Sequence, residues 1–409
     1  MTDLNKFRRI DVLIAILALA AIAVSLWNLR AATQGIDRSY VTVGSTPVTV
    51  YRPSQGGPAP VVLIAHGFAG SQQMMQGYAL PLAQAGYRVF VFEFLGHGRN
   101  PTPMSGDVTS VDGTTRLLVD QTRAVIDAVT PSTGKVALLG HSMATDILLR
   151  AAKGRSDIGP MVLISAFSNE MTARYPANLL LVAGAWEPGL RDFGLRALRM
   201  VAADAPEGST AQSGDVIRRA VAAPFSEHVS VLHSRRARAE AVSWLNLAYG
   251  RSASPAIVPT GWAILGLLAG LVLLFRPIAA LLALQSHAVL APSGGQMAAL
   301  LILPALIAPP IAVWVDPQVL PVLVADYLGL HLFLYGLLQL AMLALWRLLD
   351  LRLNWAGLAL LLGWCAVFGL GLDRYAANFW PTTGRLWIIA VLSLGAVPYM
   401  LADCALTAQ

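Results

Sequence analysis

The chemistry in this chain centres on one serine. Residues 140–144 read GHSMA and follow directly on the apolar run 135–139, so the spacing predicts a strand, a tight turn carrying Ser142, and a helix. On such a nucleophile elbow the hydroxyl stands clear of the strand ends, and small neighbours keep the turn from colliding with itself. The usual pattern is GxSxG. Here Ala144 takes the place of the last glycine and adds a methyl where the helix must pack close to the strand. A serine hydroxyl is a weak nucleophile at neutral pH, so the chemistry also needs a base to take its proton and a carboxylate to orient that base.

Two earlier segments supply context. VVLIAHGF, residues 61–68, is a buried-strand run of β-branched and apolar residues ending in a His66-Gly67 turn, and RVFVFEFLGHGRN, residues 88–100, is a second strand running into Gly96-His97-Gly98. With the elbow, these motifs resemble the α/β-hydrolase superfamily over residues 40–250. They are specific for that fold and say nothing of substrate. One departure is Glu93, where the superfamily usually has aspartate. The resemblance implies a mostly parallel sheet with flanking helices and an oxyanion hole built from the backbone NH groups of Phe68 and Met143. It also implies that the acid and then the histidine follow the serine along the chain. His66 and His97 are read as turn-packing residues that order their loops.

Beyond Ser142 the globular region offers two histidines. His228 lies in PFSEHVSVLHSRRARAEAVSWL, in a turn that leads to a helix beginning near Arg235, whereas His233 abuts that helix and is expected on its first turn. His228 is therefore the better base. For the acid, NLLLVAGAWEPGLRD, residues 178–192, reads as a core strand ending at Gly184 and then a polar loop. Glu187, three residues past Gly184, matches where the superfamily often places its carboxylate, with Asp192 as the competitor. Asp146, on the helix leaving the elbow, and Asp157, in the loop after it, fit less well. The bland alternative for these acids is a loop charge or a helix cap.

The elements that must position these residues occupy only part of the chain. Of 409 residues 56% are hydrophobic and 13% charged, and the mean hydropathy is +0.60; an ordinary soluble enzyme has a charged fraction of about a quarter. The excess is segregated into the flanks. Lys6, Arg8 and Arg9 precede an uncharged apolar stretch at 12–29, long enough to cross a bilayer and read as an uncleaved anchor rather than a signal peptide. Further spans are expected at 256–275, 297–315, 327–346, 355–372 and 386–405, with 278–290 as an interfacial or re-entrant segment. Pro304, Pro309 and Pro310 predict a kink in the second of these. The domains expected are thus a cytoplasmic N-terminus and anchor at 1–34, an α/β-hydrolase domain at 35–252 and an all-α membrane region of about five spans at 253–409.

Loop charge orients this arrangement. The basic N-terminus, Arg276, Arg347 and Arg352 fall on the cytoplasmic side if the domain faces outward from a bacterial inner membrane, while Arg374 and Arg385 disagree mildly. Trp262, Trp314, Trp346, Trp355, Trp380 and Trp387 lie near span ends, as interfacial anchors do.

A formal charge of +6 and a pI near 9.5 do not call for a nucleic-acid partner. Arg235, Arg236 and Arg238 read as a solvated helix face or as facing anionic headgroups. No zinc-type cluster or phosphate-binding glycine loop stands out, so neither metal nor cofactor is expected. The two cysteines, Cys365 and Cys404, fall in proposed spans, leaving the domain without a disulfide. Asp326, His331 and Asp403 sit in or near apolar segments, where ionisable groups invite a functional reading, but all three are close enough to span ends to reach water. The function expected is a membrane-anchored serine hydrolase of carboxylic, including lipid acyl, esters. The competing class is an idle hydrolase-like sensor or scaffold on a transporting bundle. Residues 190–223 are expected to supply a small cover over the site.

Overall fold

The computed structural model describes residues 2–104, 107, 110–282, 291–322, 324–349 and 354–407. The expected re-entrant segment therefore lies largely, and Arg352 wholly, outside the described residues. The chain divides into two compact units, residues 1–277 with 366–380, and residues 278–365 with 381–409.

The first unit is built on a nine-stranded sheet: β1 (Ile36–Val43), β2 (Thr46–Pro53), β3 (Val61–Ala65), β4 (Arg88–Phe92), β5 (Val136–His141), β6 (Ile158–Ile164), β7 (Asn178–Gly184), β8 (Thr210–Ser213) and β9 (Val216–Ala223). Their spatial order is β1-β2-β4-β3-β5-β6-β7-β9-β8. The six strands from β4 to β9 in that order pair in parallel, with antiparallel pairs at the edges. VVLIA and VALLGH are buried throughout because both faces of a parallel sheet are covered. Side chains alternate accordingly. Leu63, Phe90, Leu138 and Leu163 point into one core with α3 (Arg116–Val129), α4 (Met143–Ala152) and α5 (Pro188–Arg199). Val62, Ile64, Val91, Leu139 and Val162 point into the other with α2 (Gln76–Gln84) and α6 (Arg235–Tyr249).

The strand order reverses at β3, which is flanked by β4 and β5. At such a switch point the loops leaving neighbouring strands part to opposite faces and open a crevice at the C-terminal edge. The His66-Gly67 turn leaves β3 there, and the Ser142 turn leaves β5 beside it.

Residues 190–223 do not form a cover. After α5 they complete the sheet as β8 and β9. The strand VIRRAVAA hides its nature behind two arginines, and Arg218 is wholly buried with its guanidinium on the carbonyls of Ala197, Thr172 and Pro176. Burial lowers its pKa to about 10. Arg238 likewise departs from the expected surface face: it is 1% exposed and faces neither solvent nor lipid.

Among the described residues six helices are long and apolar enough to cross a membrane, at Arg9–Ala31, Thr260–Ala279, Gly294–Val315, Ala325–Leu345, Trp355–Tyr375 and Thr383–Thr407. The first lies in α1 (Thr2–Ala31); the others are α7 to α11 in order. The second begins four residues later than the sequence suggests, because Pro255 and Pro259 keep 251–259 irregular. In the first unit α7 runs back along α1. Gly270 fits against Ala18 and Ile22, Gly266 against Ser25, and Arg276 pairs with Asp11 at 3.1 Å. The domain's two tethers thus enter it from the same side. In the second unit α9 and α11 cross closely, since a Cβ on Gly336 would lie 2.2 Å from Tyr399 N and one on Gly395 2.2 Å from Gly329 O. The three prolines stand inside α8. Asp326 caps backbone amides, its carboxylate accepting from Val319 N and Leu320 N.

Candidate active site

Ser142 holds the left-handed conformation φ 53°, ψ −121°, between the end of β5 and the first turn of α4. A non-glycine residue there costs about 1–3 kcal/mol and persists only where its surroundings enforce it. Here Ser142 N donates to Ile164 O at 2.9 Å and Ser142 O accepts from Thr145 Oγ1 at 2.7 Å. The GxSxA departure is accommodated at the other end of the turn. A Cβ on Gly140 would stand 2.6 Å from Leu148 Cδ1 and 3.3 Å from Ala144 Cβ, so the bare glycine leaves the space that the alanine methyl occupies.

The base and acid come from the loops after β9 and β7. His228 Nε2 lies 2.8 Å from Ser142 Oγ, and His228 Nδ1 lies 2.6 Å from Glu187 Oε1. With Nδ1–H donating to the carboxylate, Nε2 is left to accept from the serine hydroxyl. Glu187 has 6% of its side chain exposed, against 43% for His228. Its second oxygen accepts from Gly184 N at 2.6 Å and Ser165 Oγ at 2.7 Å. The carboxylate is thereby fixed in orientation and fully partnered.

The competitors are elsewhere. Asp192 is exposed and pairs with Arg196 along α5. Asp146 is bound to Arg150 at 2.7 Å and to Ser168, and Asp157 to Arg155. His233 closes a 3-10 turn, Ser230–His233, ahead of the helix cap Ser234 rather than on the first turn of α6. Burial lowers its pKa to about 4.

The two amides named for the oxyanion hole flank the crevice. Met143 opens α4, so its N–H has no intrahelical partner. Phe68 follows Gly67, whose would-be Cβ lies 3.0 Å from Ser142 Cβ and 2.9 Å from His141 Nδ1. Only glycine lets the β3 turn lie against the elbow in this way. His66 is wholly buried, with Nδ1–H donating to Gly67 O at 2.8 Å and Nε2 accepting from Phe94 N at 3.2 Å. His97 Nδ1 bonds Leu95 O at 2.8 Å and its ring packs edge-on against Phe68. Glu93 accepts from Gln72 N and Arg99 N. Its extra methylene is accommodated by Gly98, where a Cβ would fall 1.9 Å from Glu93 Oε1.

Three residues at the site escaped the sequence reading. His141, the variable position of the elbow, donates from Nε2 to His228 O at 2.8 Å and so anchors the loop bearing the base. Glu227 accepts from Val229 N at 3.0 Å and Ser230 N at 2.6 Å, which ties the turn just after His228. Ser165, at φ 50°, holds Glu187. A small polar residue closing an apolar strand was the only available signal for it. Around the site the loops leaving β3, β6, β7 and β9 present Phe68, Phe167, Trp186 and Phe225 outward, with Phe225 83% exposed.

Burial makes His66 and His141 poor bases, lowering their pKa values to about 3 and about 4 from 6.5. The unfolded chain therefore binds protons that the folded domain refuses, so stability is full above about pH 6.5 and falls as pH drops toward 4. We expect the melting midpoint of the purified protein to decline steadily between pH 7 and pH 5. A flat midpoint over that interval would contradict the buried neutral state.

The sheet order, the strained serine turn and the acid and histidine loops at neighbouring strand ends are those of an α/β-hydrolase fold. Residues 56–201 match the family model described as serine aminopeptidase, S33. That stretch contains Ser142 and Glu187 and stops short of His228. Among solved structures, the chain is similar to epoxide hydrolase VrEH1 from Vigna radiata, with 26% identity over 32% of this chain and 41% of that one and a TM-score of 0.26. It is similar to an epoxide hydrolase from an endophytic Streptomyces, with 25% identity over 32% and 38% and a TM-score of 0.26. It also resembles a predicted CIB-like hydrolase from Thermoplasma acidophilum, at 13% identity over 52% and 98%, with a TM-score of 0.40. The chain spans about two fifths of the length of the epoxide hydrolases it matches.

Proposed function

We propose that the chain is a membrane-anchored serine hydrolase that cleaves carboxylic esters, lipid acyl esters among them, through an acyl-enzyme on Ser142. The observation that carries this reading is the continuous chain Ser142 Oγ–His228 Nε2 at 2.8 Å and His228 Nδ1–Glu187 Oε1 at 2.6 Å. In the proposed reaction Ser142 Oγ adds to the ester carbonyl as His228 Nε2 takes its proton, and Glu187 stabilises the imidazolium. The Phe68 and Met143 amides receive the oxyanion, each donor being worth about 3–4 kcal/mol of barrier. His228 returns the proton to the leaving alcohol, and water, activated by the same nitrogen, releases the acid. Where another alcohol displaces water, the outcome is acyl transfer. The nucleophile also argues against epoxide opening. Attack by serine on an epoxide would leave an alkyl ether, which water does not release, whereas a serine ester is readily hydrolysed. The assembled triad favours this enzyme reading over an idle scaffold.

Support for a lipid substrate comes from the six apolar helices and from the exposed Phe68, Phe167, Trp186 and Phe225 around the site. Residues 165–177, between β6 and β7, carry no helix that would act as a lid. A bacterial inner membrane with the domain outside is supported by Arg8 and Arg9 at the start of the first span and by Arg276 at the end of the second. One experiment tests both parts. Spheroplasts carrying the chain, given an ester too charged to cross the membrane, should hydrolyse it without lysis and spare the matching amide and epoxide. Turnover only after lysis would invert the orientation, and turnover of the amide or epoxide in place of the ester would overturn the ester assignment.

A further inference from the structure

The turn bearing Phe68 is gripped from two sides. On the sheet side, the Glu93 carboxylate accepts from Gln72 N at 3.2 Å and from Arg99 N. On the other side stand residues 373–380, the end of α10 and the turn after it, which belong to the same compact unit as the sheet. Asn378 N donates to Ser71 Oγ at 3.2 Å, and Gln76 Nε2 donates to Arg374 O at 3.1 Å, so both ends of the 71–76 segment are tied. Arg99 Nη2 bonds the Asp373 carboxylate while its Nε donates to Asn378 Oδ1 at 3.2 Å. The other Asp373 oxygen accepts from Phe379 N at 3.1 Å, and Asp373 is 9% exposed.

Ser71, Gln72, Gln73 and Gln76 are all buried, an unusual run of polar residues behind an oxyanion turn. Buried polar groups of this kind are stable only when partnered. Two of the four find their partner on a segment some 300 residues away in sequence. An oxyanion donor acts only from a fixed position, and a misplacement of about 1 Å can cost on the order of 100-fold in rate. What fixes the turn therefore bears on the chemistry.

Resting on the serine-hydrolase reading, we propose that Arg99 and Asp373 are positioning residues through which the seated end of membrane helix α10 holds the oxyanion turn in working geometry. Neither touches the substrate. Hydrolysis by the domain then depends on a part of the chain that is remote in sequence and belongs to the membrane region.

The test uses the full chain in detergent with p-nitrophenyl butyrate. Arg99→Ala and Asp373→Asn should each lower kcat by about tenfold or more while KM stays within about twofold, as for a loss felt only in the transition state. The pH–rate profile should keep its midpoint, because Ser142, His228 and Glu187 are untouched. Arg99→Lys, which keeps a cation opposite Asp373, should recover most of the rate. Glu240→Ala, which breaks the 2.9 Å pair with Arg219 at the far end of the sheet, should leave kcat unchanged. Wild-type kcat in Arg99→Ala and Asp373→Asn, or an equal loss in Glu240→Ala, would overturn the proposal. If Asp373→Asn does not fold, Ser71→Ala removes only the acceptor of Asn378 N, and wild-type kcat there is equally fatal. Absence of Ser142-dependent turnover in the unaltered protein would instead refute the underlying reading.

Discussion

Ser142→Ala is expected to remove ester turnover and all labelling by a fluorophosphonate probe, a loss of about 10⁴-fold or more in kcat. The same protein should melt at or slightly above the wild-type temperature. Alanine meets the same left-handed strain at φ 53° that serine does, and the hydrogen bond it forfeits goes to a His228 side chain that is 43% exposed. A site built for chemistry commonly gains stability when its reactive group is deleted. Equal labelling of the variant would move the nucleophile to another residue.

The second large effect separates the named partners from their neighbours. His228→Ala should bring kcat down nearly as far as the serine variant, because a serine without its base is almost inert. Glu187→Gln should cost about 10³- to 10⁴-fold, since the amide no longer holds the imidazole in the tautomer that leaves Nε2 free to accept. His233→Ala and Asp192→Ala should stay within about twofold of wild-type kcat. His233 looks away from the crevice, against Gly261 at the start of α7, and Asp192 is engaged with Arg196 at the surface. Rate profiles for the four purified variants decide the matter. A collapse in His233→Ala with His228→Ala active would transfer the base.

The sequence made some of this readable and hid the rest for physical reasons. Ser142 is legible because an elbow needs small residues at fixed positions beside a buried strand, a local demand that leaves a local trace. Glu187 and His228 are legible because the fold orders acid and histidine after the serine, and few candidates stand in the permitted stretches. Strand β9 was missed because Arg218 and Arg219 break its apolar pattern, although one of them is buried by hydrogen bonding to backbone carbonyls. Arg238 reads as a surface residue for the same reason, since arginine ordinarily faces solvent or headgroups, yet it is buried. The pairing of Arg99 with Asp373 joins residues 274 apart and has no periodic or local signature at all. His141 and Ser165 act on the triad through tertiary contact, which residue type alone does not announce.

The buried guanidinium of Arg238 carries a consequence for biogenesis. It donates to His233 O at 2.9 Å and to Ser234 O at 3.2 Å within its own neighbourhood, and also to Val258 O and Thr260 Oγ1, each at 3.0 Å, at the threshold of α7. A nascent chain that has emerged only as far as residue 252 therefore holds a complete sheet and triad but lacks half the acceptors for a charge that must be dehydrated. Leaving such a group short of partners costs several kcal/mol. A chain cut there is expected to hold α6 more loosely on the sheet than one that reaches Thr260. A truncated chain meant to carry the domain alone has to run through Thr260.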